Sequence, residues 1–245
     1  MSVARIAMWS GPRNISTALM RAFENRDDCA VVDEPFYGVY LQGTGIDHPG
    51  REQIIESMDC NWQSVARSLC ESVPSACTVF YQKHMTQHIL PEMDMGFAES
   101  LTNCFLIREP RRIIASYVRI RPNFTLEELG FPQQLDLFER IRAAQGEPPV
   151  VIDSRVILTD PRRSLETLCA ALGIPFVESM LSWPAGPRDS DGVWAPHWYA
   201  SVEASRGFER PEEIALEHVV IPRRYERLCA EAQEIYAHMA QSALS

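Results

Sequence analysis

The chain has 245 residues, of which 46% are hydrophobic, and its formal net charge is −10. This length and composition suffice for one substantial core, so we expect a single domain over residues 1–245. A negative net charge argues against nucleic acid as a partner, although a local group of arginines can still bind a small anion.

The cysteines and the apolar runs indicate where the protein acts. Seven cysteines are scattered without a CxxC pair, which is typical of free thiols in a reducing compartment. The N-terminal residues predict a strand rather than a signal peptide, and no apolar run approaches the roughly 18 residues that span a bilayer. We therefore expect a cytoplasmic protein with no membrane partner. The sequence leaves the oligomeric state open, with a homodimer among the alternatives.

Short runs rich in apolar and β-branched residues recur along the chain and predict five strands. They lie at 3–9, 29–33, 77–82, 102–107 and 149–153. These runs do not alternate with polar residues, so both faces of the sheet should be buried, as in a parallel sheet. The helical patterns between them lie at 16–26, 51–73, 92–101, 110–120 and 132–145. The alternation predicts an α/β fold, a three-layer sandwich around a central, mostly parallel sheet.

The second half of the chain contains the clearest helix. Asp160 can cap it, Pro161 suits its first turn, and Gly173 ends it. From Pro222 onward the pattern predicts a closing helix. The turn-rich segment 183–196 predicts a surface loop or lid.

The first predicted strand ends in a glycine-containing turn that leads into a helix. Backbone N–H groups and the helix dipole make such a turn an anion site, and hydroxyl and guanidinium groups add donors. The residues of this turn and helix start that we expect to bind the anion are Gly11, Arg13, Asn14, Ile15, Ser16 and Thr17. The Gly-Lys pair of the GxxxxGK[ST] pattern is absent, which argues against an ATP-dependent kinase or ATPase.

A second segment repeats this arrangement later in the chain. A buried strand ends at Ile107, and Arg108 then stands at its carboxyl end, where ligands of open α/β sheets bind. Pro110 begins a helix, and Ser116 lies in its second turn. Arg108 and Ser116 are therefore candidates for a second phosphate-like group, separate from the first. The other arginines of this helix are expected to form a solvated face.

These two segments resemble the signature motifs of sulfotransferases that use 3′-phosphoadenosine 5′-phosphosulfate (PAPS). The family's loop P-[KR]-S-G-[ST]-[ST] is similar to residues 12–17, PRNIST, and its R-[DE]-P-R-[DR]-x-x-x-S is similar to residues 108–116, REPRRIIAS. The resemblance covers residues 3–176 and implies a P-loop NTPase-like sulfotransferase fold. It is nearest to bacterial sulfotransferase-like proteins. It departs at Asn14 and Ile15, where the family has Ser-Gly.

The resemblance also implies roles in sulfuryl transfer. Arg13 would stabilise charge on the leaving phosphate oxygen, and the acceptor would need a general base. Glu34, in the DEP segment after the second strand, matches the place of a catalytic glutamate in some bacterial members. His84 aligns with the catalytic histidine of cytosolic members and titrates near neutral pH without help, whereas Glu34 needs a raised pKa. We place Glu34 ahead of His84.

Further residues complete the expected site. The family's late Arg-Lys-Gly cofactor segment corresponds most closely to Arg206-Gly207. Tyr37, His88 and Trp198 are candidates for contacts with the acceptor, because aromatic rings combine contact area with polar tips. No set of cysteines and histidines argues for a metal.

The sequence thus predicts a sulfotransferase that moves a sulfuryl group from PAPS to a hydroxyl or amine of a small-molecule acceptor. Two alternatives stay open. One is a non-catalytic nucleotide-binding domain of the same fold, because a fold does not imply an activity. The other is a P-loop kinase-like phosphotransferase, for which the apolar run before Asp153 would serve as the Walker B strand.

Overall fold

Five parallel strands form the centre of the molecule. The computed structural model describes residues 3–71, 77–209 and 215–244. The strands are β1 Ala4–Ser10, β2 Cys29–Asp33, β3 Val79–Met85, β4 Thr102–Ile107 and β5 Val150–Asp153. Their order across the sheet is β2-β3-β1-β4-β5, and every pairing is parallel. The predicted α/β class is confirmed, and the described sheet is parallel throughout.

Helices cover both faces of this sheet. They are α1 Ser16–Glu24, α2 Tyr37–Thr44, α3 Arg51–Ser57, α4 Trp62–Glu71, α5 Pro110–Tyr117, α6 Phe131–Gln145, α7 Ser154–Thr159, α8 Pro161–Ala171, α9 Ala195–Trp198, α10 Ala200–Ala204 and α11 Glu226–Ala240. Strand β1 shows how the layers form, because Ile6 and Met8 pack into one core and Ala7 and Trp9 into the other. All four side chains are fully buried. Successive residues of a strand face opposite sides, so an unbroken apolar strand fills two cores at once.

The parallel register brings the carboxyl ends of the strands to one edge of the sheet. Ser10 at the end of β1 pairs with Met85 of β3 and Leu106 of β4. Asp33 at the end of β2 pairs with Lys83. The loops that follow these strands therefore meet above the same edge, which is where ligands of open α/β sheets bind.

Most predicted elements are present, and their differences have local causes. The predicted helix 51–73 is two helices, because Met58 is extended and the side chains of Asp59 and Asn61 accept backbone bonds that start a new helix; its residues 72 and 73 lie outside the described part. The segment predicted as helix 92–101 forms a 3₁₀ turn, Met95–Ser100. The closing helix follows a 3₁₀ turn and begins at Glu226.

Two further predictions concern caps and span length. Asp160 caps α8 as expected, because its side chain accepts the N–H of Arg163. Within the described ranges, none of the helices combines the length and the apolar character needed to cross a bilayer. All seven cysteines carry free thiols.

Candidate active site

A cavity of about 350 Å³ opens at the carboxyl edge of the sheet, between the loop after β1 and the loop after β2. Eleven of the predicted site residues line it: Arg13, Asn14, Ile15, Ser16, Thr17, Glu34, Tyr37, His88, Arg108, Trp198 and Gly207. Four predicted site residues do not line it: Gly11, His84, Ser116 and Arg206.

The loop after β1 has a strained backbone that presents the start of α1 to the cavity. Arg13 and Ile15 both have positive φ, 59° and 50°. Positive φ is rare for a β-branched residue, and the left-handed conformation costs a non-glycine residue about 1–2 kcal/mol. Ile15 caps α1 without any side-chain hydrogen bond. The first N–H groups of the helix are therefore left for an anion.

Three hydrogen bonds join this loop to the segment after β4. Arg108 Nη1 donates to the carbonyl oxygen of Arg13 over 2.6 Å, and Arg13 Nε donates to Ser116 Oγ over 2.9 Å. Asn14 Nδ2 donates to the carbonyl oxygen of Leu106 over 2.7 Å. Ser116 thus accepts a hydrogen bond from Arg13 and does not line the cavity, and its predicted contact with a phosphate stays a prediction.

Arg13 and Arg108 are half-buried cations without an acidic partner. Among the described residues, no carboxylate lies within 4.0 Å of either guanidinium. Burial lowers the pKa of Arg13, and burial together with Arg112 and Arg13 lowers the pKa of Arg108. In the described part of the chain, two desolvated cations thus have no paired carboxylate, an arrangement that favours the binding of an external anion.

Gly11 and the 206–207 segment have roles that differ from those predicted. A Cβ atom at Gly11 would lie 2.6 Å from the carbonyl oxygen of Leu129, so the glycine is required by backbone packing beneath the loop. Arg206 is exposed, and its carbonyl oxygen accepts the N–H of Trp183. Gly207 alone of this pair reaches the cavity.

The opposite end of the cavity contains a buried cluster of charges at the end of β2. Lys83 Nζ donates to Asp33 Oδ1 over 2.8 Å, to Glu34 Oε1 over 2.5 Å and to the Tyr199 hydroxyl over 2.7 Å. Tyr199 in turn donates to Asp33 Oδ2 over 2.6 Å. Lys83 is 1% exposed and Glu34 8%. Two carboxylates therefore share one ammonium, which leaves this cluster with a negative balance.

The pKa values in this cluster follow from burial and from its charges. Burial alone would lower the pKa of Lys83, but Asp33 and Glu34 outweigh burial, so its pKa is raised and it stays protonated. Burial raises the pKa of Glu34 and Asp33 adds to the rise, against the opposing effects of Lys83 and Tyr199. Glu34 also adopts a positive φ of 44°. A carboxyl with a raised pKa in a cleft is typical of a proton-transfer group.

Beside Glu34, aromatic and imidazole rings form the wall of the cavity. The ring of Tyr37 stacks on His88 with a centroid distance of 4.5 Å, and its hydroxyl lies 2.8 Å from His48 Nδ1. His88 Nε2 lies 3.9 Å from Glu34 Oε2. Burial lowers the pKa of His48 to about 4 and that of His88 well below its usual value. Both imidazoles are therefore neutral near pH 7.

His84 faces the other side of the sheet. Its ring stacks on Trp9 at 4.1 Å, and its Nε2 lies 3.1 Å from Gln82 Oε1. Burial lowers the pKa of His84 to about 3. His84 follows Lys83 directly in β3, and neighbours in a strand point to opposite faces. The geometry therefore does not bring His84 to the cavity.

The segment 188–199, which we name the cover segment, closes over the charged cluster. Its Asp191 accepts from the buried Arg21 over 2.6 Å. The backbone N–H of Gly192 lies 3.3 Å from Asp33 Oδ2, and Trp194 Nε1 donates to the Tyr199 hydroxyl over 3.1 Å. The predicted loop or lid at 183–196 thus contacts the site through Asp33.

Sequence reasoning missed Lys83 and His48 as site residues. The alternation of side chains along β3 could have identified Lys83. Tyr81, Lys83 and Met85 lie on the same face of the strand, and Lys83 pairs there with Asp33. His48 lies in the loop between α2 and α3, and no local pattern places it.

A second, larger cavity of about 1010 Å³ lies beyond Arg108. The two cavities share Arg108 and Leu158. Arg112, Arg155 and Arg163 also line the second cavity. The arginine after β4 thus stands between two spaces at the same edge of the sheet. Among the described residues, no group of three histidine, cysteine or acidic side chains is placed to hold a metal ion.

The fold and this site define an α/β protein with an arginine-lined cavity at the carboxyl edge of a parallel sheet. Residues 4–243 match the sulfotransferase domain family. The chain therefore belongs to that family, and it has the P-loop-like sulfotransferase fold.

Two curated relatives with an aminotransferase-like name are similar to most of this chain. The chain is 38% and 35% identical, over 208 residues, to branched-chain-amino-acid aminotransferase-like proteins 1 and 2 of Arabidopsis thaliana. These alignments cover 85% of this chain but only 37% of each relative, so the chain spans little more than a third of their length.

Among solved structures, the sulfotransferase domain of the Synechococcus PCC 7002 olefin synthase matches with a TM-score of 0.62 at 14% identity, covering 97% of this chain and 96% of its own. The sulfotransferase domain of the curacin biosynthetic pathway matches with a TM-score of 0.57 at 15% identity, covering 97% and 98%. A sulfotransferase from Alicyclobacillus acidocaldarius matches with a TM-score of 0.55 at 13% identity, covering 98% and 96%. At these identities the likeness shows the fold.

Proposed function

We propose that the protein uses PAPS as donor and transfers its sulfuryl group to a hydroxyl or amine of a small acceptor in a reducing compartment such as the cytoplasm. The observation that carries this proposal is the pairing of Arg13 and Arg108. Both are half-buried, neither has a carboxylate partner among the described residues, and a hydrogen bond joins them at the ends of adjacent strands. A ligand with two separated anionic groups satisfies both arginines at once.

The residues present fit such a donor. The loop around Arg13 and the start of α1 would hold the 5′-phosphosulfate, with Ser16 and Thr17 as additional donors. Arg108 would hold the 3′-phosphate from the end of β4. Asn14 Oδ1 is buried without a partner, so this loop still has an unused acceptor for a donor group of a ligand.

PAPS, when bound, supplies an activated sulfuryl group whose departure leaves negative charge on a phosphate oxygen. In this proposal Arg13 would lie beside that oxygen, and its permanent cation would stabilise the charge without a proton transfer. The hydrogen bond from its Nε to Ser116 fixes the orientation of the guanidinium. The free N–H groups of α1 act in the same direction.

Glu34 is the base in this proposal. It lines the cavity, burial raises its pKa, and it has a neutral imidazole rather than a cation on its Oε2 side. Lys83 holds Oε1 in place and remains protonated. The acceptor's proton would move to Glu34 Oε2, which has no direct hydrogen-bond donor within the described residues.

The two alternatives from the sequence fit the site less well. A kinase-like phosphotransferase uses a lysine in the first loop, and residues 12–17 contain Arg13 and no lysine. A purely binding domain does not need a strained, buried carboxyl with a raised pKa in the same cavity as the loop after β1. That feature favours catalysis over binding alone.

Isothermal titration calorimetry with 3′-phosphoadenosine 5′-phosphate (PAP) tests the donor site. We expect micromolar binding without metal and weaker binding of Mg-ATP. Arg108→Ala should weaken PAP binding about ten- to a hundredfold, the value of one or two charge-assisted hydrogen bonds. Arg119→Ala, an exposed arginine two residues beyond α5, is the matched control and should not change the affinity. Equal binding by wild type and Arg108→Ala, or preference for Mg-ATP, would refute the proposal.

A further inference from the structure

We propose that the acceptor is an uncharged compound with two oxygen functions. One is the hydroxyl that faces Glu34, and the other is a second oxygen held by His48. This inference rests on the proposed function, because it concerns the end of the same cavity that lies away from Arg13 and Arg108. It adds a substrate class and two contact residues, His48 and Gln87, to that site.

An anionic acceptor finds no free counter-charge at this end of the cavity. The described lining contains three cations, of which Arg13 and Arg108 lie at the donor end. The third, Lys83, already donates through its Nζ to Asp33, Glu34 and Tyr199. An ammonium has three donors, so none is left. Two carboxylates against one ammonium also repel a further negative charge.

Arg121 does not change this balance. Its charge helps to lower the pKa of His48 from outside the lining, and its Nη1 donates to the carbonyl oxygen of Asp47 over 2.9 Å. Its Nη2 lies 3.5 Å from Glu128. The guanidinium is therefore engaged by the loop and by an acidic residue and does not line the cavity.

A protonated amine is also disfavoured as the acceptor. An ammonium group has no lone pair with which to attack, so it must first lose a proton to the protein. Glu34 shares its Oε1 with Lys83, and the imidazoles of His48 and His88 have pKa values far below that of an amine. An un-ionised hydroxyl avoids this requirement, because its proton leaves only as the new bond forms.

Unsatisfied polar atoms point to the second oxygen. Three polar atoms have no hydrogen-bond partner among the described residues: His48 Nε2, His88 Nδ1 and Gln87 Oε1. All three side chains are more than nine-tenths buried and line the cavity. Burial raises the pKa of Tyr37, so its hydroxyl keeps a proton that it can donate to His48 Nδ1. His48 Nε2 then carries the ring proton and is a donor for an oxygen. Buried donors without a partner are costly, and a ligand oxygen removes that cost.

The shape of this wall is fixed before the acceptor arrives. Tyr37 is held by its stacking on His88 and its bond to His48, and Tyr40 stacks on the same His88 ring at 4.9 Å. The wall is therefore preorganised, and a ligand that matches the spacing of Glu34 and His48 gains affinity without ordering the protein.

Acceptor probes of equal size and different charge test this inference. The full chain would be assayed with PAPS and phenol, the three dihydroxybenzenes, 4-hydroxybenzoate and benzylamine, under anaerobic conditions. We expect at least one dihydroxybenzene to exceed phenol about tenfold in kcat/KM, the value of one neutral hydrogen bond. The carboxylate and the amine should be poorer than phenol.

A variant pair assigns the second oxygen to His48. In His48→Phe the ratio of kcat/KM between the best dihydroxybenzene and phenol should fall to about one. His238→Phe replaces an exposed histidine on α11 whose ring contacts Glu139, far from the cavity, and should keep the wild-type ratio.

Each remaining outcome overturns one proposal only. Preference for 4-hydroxybenzoate or benzylamine, equal rates of phenol and every dihydroxybenzene, or an unchanged ratio in His48→Phe would overturn the inference while PAP binding left the proposed function standing. Absence of turnover together with no calorimetric binding of any dihydroxybenzene to the PAP complex would also overturn it. Failure to bind PAP would instead show that the proposed function is wrong.

Discussion

The two ends of the cavity solve the problem of a buried charge in opposite ways. At the donor end, Arg13 and Arg108 are partly buried without any carboxylate within 4.0 Å in the described chain, and their backbone and hydroxyl contacts are neutral. At the acceptor end, Lys83 is completely buried and fully paired with Asp33 and Glu34. In the described chain, the donor end thus has two cations without a paired carboxylate, whereas the acceptor end has two carboxylates for one ammonium.

This difference separates binding from chemistry. Cations without a partner gain stability when an anionic ligand binds, so the donor end favours occupancy. A carboxyl that shares one ammonium with a second carboxylate has a raised pKa and can take up a proton at moderate cost, so the acceptor end favours proton transfer. The predictions below test this division, from the largest expected effect to the smallest.

Glu34→Gln should have the largest effect on turnover. Loss of a general base typically costs roughly a hundred- to ten-thousandfold in rate, while PAP binding at the donor end should remain. In the wild type, kcat should rise with pH as Glu34 loses its proton. Steady-state rates and calorimetry on the same preparation measure both effects.

His84→Phe provides the contrast for that result. Because the His84 side chain packs on Trp9 away from the cavity, its replacement should leave turnover within a few-fold of wild type, at some cost in stability from the unpaired Gln82. A collapse of turnover in His84→Phe with Glu34→Gln still active would reverse the assignment of the base.

Lys83→Met should have the largest effect on stability. It leaves two buried carboxylates without their cation, and breaking a buried pair costs about 3–5 kcal/mol in the free energy of unfolding. The pKa of Glu34, already raised, rises further without Lys83. The folded state then binds more protons than the unfolded state, so stability is highest below the unfolded pKa and falls as pH rises through the folded pKa.

Urea unfolding of Lys83→Met at pH 5 and pH 8 checks this sign. The loss relative to wild type should be smaller at pH 5. A loss that is larger at pH 5, or that does not depend on pH, would contradict the proposed sharing of one ammonium by two carboxylates.

Tyr199→Phe tests the link between the cover segment and the charged cluster. The hydroxyl of Tyr199 donates to Asp33 and accepts from Lys83 and Trp194, so its loss should destabilise the protein by about 1–3 kcal/mol. Tyr81→Phe is a matched control, because the Tyr81 hydroxyl is buried without a partner and its removal should be neutral or stabilising. An equal decrease in melting temperature for Tyr199→Phe and Tyr81→Phe would show that the hydrogen bonds of the Tyr199 hydroxyl do not stabilise the protein.

Ile15→Gly should have the smallest effect and the most unusual direction. Glycine adopts a positive φ without strain, which saves about 1–2 kcal/mol in the free energy of unfolding. This gain offsets part of the loss of the side-chain contacts of Ile15. Ile15→Ala loses most of the same contacts and keeps the strain. We expect Ile15→Gly to be more stable than Ile15→Ala by about 1 kcal/mol, the reverse of the usual order. Denaturant midpoints that follow the usual order would exclude strain at Ile15.

Much of the fold follows from local patterns in the sequence. The five strands appear as apolar runs and shift by at most three residues in the structure. The loop after β1 and the arginine after β4 were predicted to be anion sites because both follow buried strands, and the structure places both at one edge of the cavity. Parallel topology brings such strand ends together without any further information.

The acceptor end depends on contacts that no local pattern contains. Tyr199 meets Lys83 across 116 positions of sequence, and that contact requires the cover segment to fold over β2. The choice between Glu34 and His84 required the parity of β3, since a shift of one residue exchanges the two faces of a strand. Ile15 stands where the sulfotransferase motif has glycine, and only the backbone reveals that it adopts the same left-handed conformation that glycine favours.

The three hydrogen bonds between the loop after β1 and the segment after β4 determine which segments can be exchanged between homologous chains. Arg108 binds the backbone of Arg13, Arg13 binds Ser116, and Asn14 binds Leu106. The two motifs, 103 positions apart between Arg13 and Ser116, behave as one interlocked unit. A chimera that receives only residues 12–17 from a homologue separates a donor from its acceptor. Transplanting residues 12–17 and 106–116 together keeps each bond with its partner, so the two segments should be moved as a pair.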